Sequence, residues 1–120
     1  MNSKDFITNS LRTESPLYTS PNPRVLHAAM GCVTESAELM DALKKGAFYG
    51  RDVDYVNVRE EAGDLLWYLA ILFDELDTTF EKEMERVINK LKTRFPEKFN
   101  IGQAHSRDLE GERKVLEGKL

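Results

Sequence analysis

The sequence predicts an all-α protein, a small bundle of three to five helices per chain. Three observations predict it. No segment alternates apolar and polar residues as a half-buried strand does. Apolar residues instead recur at helical spacing, most clearly Phe80, Met84, Val87, Ile88, Leu91 and Phe95. Residues that start and stop helices stand at the ends of these runs.

A short helix is expected from Ser3 to about Arg12, with Phe6, Ile7 and Leu11 apolar. TESPLYTSPNP is a loop, rich in Ser, Thr and Pro. Asn22 is placed to cap the next helix, with Pro23 at its first position. That helix is expected to reach Lys45, with Gly46 as its C-terminal cap. Asp54 caps a second long helix, through roughly Glu75. Asp77 or Thr78 caps a third, which Pro96 ends. The charged tail from about residue 97 holds one weakly periodic helix, about Ser106 to Leu116.

The chain length, 120 residues, fits a single domain, residues 1–120. Its 41% hydrophobic and 32% charged residues suit a folded chain, not a disordered one. No run approaches the roughly 20 apolar residues of a membrane span. MNSKDFITNSLR has no signal-peptide core. One cysteine, Cys32, rules out an intrachain disulfide framework and is expected to be a small buried hydrophobe. A cytoplasmic protein without a membrane partner is expected. The net charge of −4 argues against sequence-independent nucleic-acid binding. Leu65 to Phe73 is almost unbroken apolar residues, hard to cover in so small a monomer, so self-association is expected.

Two acidic pairs carry the chemistry. Glu35 and Glu38 are spaced i, i+3, and so are Glu61 and Asp64, with Glu60 beside them. Residues three apart share a helix face. Either pair alone reads as an ordinary solvated face. Their neighbours argue otherwise. Asn57, Asp64, Tyr68 and Leu72 lie within roughly 60° of Glu61 around the helix, so the acids continue into an apolar column. Ala28, Gly31, Leu39 and Ala42 lie within roughly 40° of Glu35, a column of mostly small residues that admits another helix. Semi-buried acids need neutralising, by protons, by Arg or Lys, or by a divalent cation. The oxygen-only donor set suits Mg²⁺, with Mn²⁺ as a substitute. His27 and His105 lack the Glu-x-x-His spacing of a di-iron bundle, and zinc lacks Cys and His ligands. Such a Mg²⁺ site typically meets substrate phosphates. Lys90 and Arg94 flank the apolar stripe of their helix, while Lys44, Lys45 and Arg51 follow the first long helix. Each alone reads as a surface charge. Phe48 and Tyr49 can close over a base, as can Tyr68 from the core.

The order of these motifs is similar to that of the MazG-like nucleoside triphosphate pyrophosphohydrolases. Glu-x-x-Glu is followed by 22 residues and Glu-x-x-Asp. LHAAMGCVTESAELMDALKK, FYG, VREEAGDLLWYLA, KLKTRFPEKF and RDLEGERKVLE resemble short phage and bacterial members. The resemblance runs from about Leu26 to Leu116. It implies Mg²⁺-dependent hydrolysis of a nucleoside triphosphate to the monophosphate and pyrophosphate. It implies Glu35, Glu38, Glu61 and Asp64 as metal ligands, Glu60 as an extra acid, and Lys90 and Arg94 on the phosphates. Glu38 or Glu60 is the candidate base. Lys45 is a further phosphate candidate; Phe48, Tyr49 and Tyr68 are candidates for the base of the nucleotide. A tight dimer or dimer of dimers is implied. The alternatives are a base-specific dUTP or dCTP pyrophosphatase, and a non-catalytic interaction module. Some relatives carry a lysine where this chain has Gly31.

Overall fold

A computed structural model describes residues 1–17 and 23–119. Among these residues the structure is helical, with α1 (Ser3–Leu11), α2 (Pro23–Phe48), α3 (Tyr55–Glu75), α4 (Phe80–Arg94), α5 (Ile101–His105) and α6 (Leu109–Leu116). The chain forms two compact units, Met1–Thr79 and Phe80–Leu120. No described helix is long and apolar enough to cross a membrane.

The N-terminal unit is built on an antiparallel α2–α3 hairpin, with α1 against α3. Pro23 opens α2, where its fixed φ and missing N–H are harmless; the predicted cap, Asn22, lies outside the described residues. Asp54 caps α3 as its side chain predicts, accepting from the Val56 and Asn57 amides at 3.1 and 3.2 Å. Arg24 ties the far end of the hairpin. Its guanidinium binds Glu14 through Nε at 2.9 Å and reaches Asp74 at 2.7 Å and Glu75 at 3.0 Å.

Small residues on α2 let α3 approach. Ala28, Gly31 and Ala42 are buried on α2; Ala70 and Ile71 are buried on α3. A Cβ on Gly31 would fall 2.1 Å from the Tyr68 ring. The ring therefore occupies the volume that any side chain at 31 would need. Gly46 is not the C-cap that the sequence suggested. α2 continues to Phe48, and Gly50 takes the left-handed conformation at φ 64°. Gly46 is needed for packing instead, since a Cβ there would meet Val53 Cγ2 at 2.3 Å.

In the C-terminal unit α4 packs on α6. Helix α4 starts at Phe80, later than the predicted caps require, and Asp77 is a turn residue at φ 52°. Pro96 follows its end as expected. Met84, Val87 and Ile88 of the predicted stripe stay exposed. The short α5, capped by Asn100, is not foreseen by periodicity. Helix α6 begins at Leu109 and not near Ser106, because Asp108 caps it by accepting from the Gly111 amide at 2.9 Å. Glu112, 3% exposed, binds Arg94 and Arg107 across this unit. The two guanidinium groups hold its carboxyl down at about 2.

Ile71 is fully buried in the α2–α3 unit. Ile71→Ala should lower stability by ~2–5 kcal/mol in urea unfolding. A loss below ~1 kcal/mol would mean that this unit does not carry the stability of the fold.

Candidate active site

The hairpin brings acids from two helices together. One carboxylate oxygen from each of Glu35, Glu38 and Glu61 lies within 4.8 Å of the others. Glu61 is buried at 7% exposure, Glu35 is half-buried and Glu38 exposed. Glu35 Oε2 and Glu61 Oε2 are shielded from solvent and accept no hydrogen bond. Among the described residues none of the three acids is in an ion pair. Burial, with Glu35 and Glu38 alongside, pushes the Glu61 carboxyl up to about 7.

Asn57, one turn before Glu61, steadies this edge. With its amide nitrogen toward the acids it donates to Glu60 Oε2 at 3.2 Å and Glu61 Oε1 at 3.1 Å. The sequence placed Asn57 on the Glu61 face but gave it no task; its i, i+4 spacing was the available signal.

Asp64 stands outside the trio. It lines a cleft of about 330 Å³ with Glu35, Trp67 and Tyr68. The cleft wall is braced. Trp67 Nε1 donates to Thr13 Oγ1 at 3.0 Å, and the Trp67 and Tyr68 rings meet edge to face at 5.0 Å. His27 meets Tyr68 edge to face from α2 at 5.7 Å. Burial and the charges of Glu35, Asp64 and Glu38 raise the Tyr68 phenol, so it stays protonated and able to donate.

The other candidates are spread out. Lys45 pairs with Asp41 at 3.0 Å and lines a second hollow of about 440 Å³ with Tyr49 and Arg51. Lys44 Nζ lies 5.8 Å from the Tyr49 ring centre. Phe48 is exposed. Lys90 and Arg94 belong to the C-terminal unit, where Glu112 takes up Arg94.

The acid trio fits a divalent cation on its own chemistry. Its donors are all oxygen, two buried oxygens lack a partner, and no described Arg or Lys neutralises the group. Histidine is absent from it, against a Glu-x-x-His di-iron arrangement.

The raised Glu61 predicts a pH effect. Between its ordinary value of 4.5 and about 7, the folded protein keeps a proton that the unfolded chain has released. Its contribution to stability is full below about 4.5 and is lost as pH rises through about 7. In chelator, wild-type melting temperature should therefore fall from pH 5 to pH 8, and Glu61→Gln should flatten that fall. Identical slopes in both proteins would contradict the assignment.

The MazG nucleotide pyrophosphohydrolase domain model matches residues 26–99. The matched stretch holds Glu35, Glu38, Glu60, Glu61 and Asp64 with Lys90 and Arg94, and stops short of Arg107 and Glu112. The chain is also similar to the Gene 37 protein of Mycobacterium phage L5, at 35% identity over 75 residues. That alignment covers 57% of this chain and 63% of the phage protein. No solved structure matches the chain. With its helical fold, its acid pairs on adjacent helices and a family match across most of its length, the chain belongs to the MazG nucleotide pyrophosphohydrolase domain family.

Proposed function

We propose that this protein hydrolyses nucleoside triphosphates, deoxynucleotides or non-canonical ones, to the monophosphate and pyrophosphate, with Mg²⁺ as its cofactor and Mn²⁺ as a substitute. The observation that carries this reading is the pair of buried, unpartnered oxygens on Glu35 and Glu61 beside Glu38. Family membership supports the reaction class.

In this reading Glu35, Glu38 and Glu61 hold the ion, with Asp64 from the adjoining cleft. When bound, Mg²⁺ neutralises phosphate charge as it develops. Water attacks the α-phosphorus, the α–β anhydride bond breaks, and pyrophosphate leaves. Glu38 is exposed and Glu60 is exposed and steadied by Asn57, so either can accept the proton of the attacking water. Lys90, Arg94 and Lys45 are the proposed phosphate contacts. Tyr68, Phe48 and Tyr49 are the proposed contacts to the base. The aromatic wall of the Asp64 cleft favours a second reading, a base-selective enzyme directed to dUTP or dCTP.

We also propose self-association, to a dimer or a dimer of dimers. Leu26, Met30, Val33 and Met40 are between 53 and 70% exposed on α2. With Ala37 they follow a 4-3-4-3 spacing, that of a coiled-coil seam. At ~100° per residue this stripe faces away from Glu35 and α3. A second copy is the occupant best matched to it.

Three outcomes are expected. A panel of nucleotides with Mg²⁺ should release pyrophosphate, and chelator should abolish it. A preference beyond ~100-fold for one base would select the base-specific reading. Glu38→Gln and Asp64→Asn should each lower the rate by ~10–100-fold or more. Rates unchanged in both variants, or in chelator, would overturn the metal-site reading, while no pyrophosphate release from any nucleotide would leave a non-catalytic interaction module. In sedimentation, Val33→Glu with Met40→Glu should give a monomer; an unchanged mass would exclude the α2 seam.

A further inference from the structure

In the C-terminal unit one buried carboxylate carries two guanidinium groups. Arg94 donates to Glu112 from Nε to Oε1 at 2.9 Å and from Nη2 to Oε2 at 3.0 Å. Arg107 uses the same two oxygens, from Nη2 to Oε2 at 2.6 Å and from Nε to Oε1 at 3.4 Å. One bidentate arginine already neutralises a buried carboxylate. The second brings a like charge against the first and leaves one positive charge in surplus.

The surplus charge is fixed in place and open to a ligand. Both guanidinium groups spend their Nε and Nη2 edges on Glu112. A guanidinium has five N–H donors, so the Nη1 ends remain, and among the described residues neither Nη1 meets an acceptor. The side chains are 18% exposed for Arg94 and 41% for Arg107. The backbone beside Arg107 is anchored, because Asp108 caps α6. Two planar donors set against one carboxylate suit a multidentate oxyanion better than flexible lysines do.

We infer that Arg94 and Arg107, held in register by Glu112, form a binding site for a phosphate oxyanion, either the phosphate tail of a nucleotide or free pyrophosphate. Glu112 is then a positioning residue. The inference rests in part on the proposed phosphate contact of Arg94; Arg107 and Glu112 go beyond it.

The test is calorimetric titration of the full-length protein with inorganic pyrophosphate in chelator, which needs no turnover. Arg107→Gln leaves the Arg94–Glu112 pair intact. It should weaken pyrophosphate binding by about tenfold with nearly unchanged melting temperature. Glu112→Gln makes the site more positive, so simple charge attraction would tighten binding. Loss of register should weaken it instead. A raised KM in Arg107→Gln assigns the site to the nucleotide tail. An unchanged KM with weaker product inhibition assigns it to free pyrophosphate. Wild-type protein that binds no pyrophosphate overturns the inference, as does tighter binding by Glu112→Gln. So does an Arg107→Gln variant that melts earlier yet binds as wild type does, since the cluster is then a structural lock. Nucleotide hydrolysis without pyrophosphate binding would sink this site alone. Pyrophosphate binding without hydrolysis would sink the proposed reaction alone.

Discussion

Shielded oxygens of Glu35 and Glu61 and the exposed Glu38 repel one another at close range, and the packing of the N-terminal unit keeps them there. The cause is the close α2–α3 contact, made possible by Ala28, Gly31 and Ala42 and closed by Ala70 and Ile71. That contact fixes the rotation of each helix, and the rotation decides which acids converge. Stability and site chemistry thus pull in opposite directions within one interface. Apolar packing has to outweigh the repulsion. In the proposed reading, an acid trio preorganised by packing would take up a cation without a costly rearrangement.

The two units treat acid burial in opposite ways. Glu61 is buried without a cationic partner and its carboxyl is pushed up. Glu112 is buried with two, and its carboxyl is held down. The same side chain keeps a proton up to about pH 7 in one unit and stays an anion in the other. Burial alone therefore says little about function; the partners that burial brings say more.

Much of the fold was legible because it depends on local chemistry. Asp54 as a cap, Pro23 as an opening residue and Pro96 as a stop act through the backbone next to them. Gly46 was misread because its reason is tertiary, the approach of Val53. The five residues of α5 are too few to show a period. In the site, i, i+3 spacing announced both acid pairs, but not their convergence. That Asp64 turns to the cleft while Glu38 joins the trio depends on helix rotation, which no single helix encodes. Glu112 was hidden differently, since RDLEGERK reads as a solvated charged tail until its partners are known.

Gly31 and Tyr68 occupy one volume from two helices. A side chain added at 31 would have to displace the Tyr68 ring, and with it a wall of the Asp64 cleft. The bare backbone at 31 therefore leaves room for an aromatic surface next to Glu35 and Asp64. One contact between backbone and ring thus decides which kind of surface those two carboxylates face.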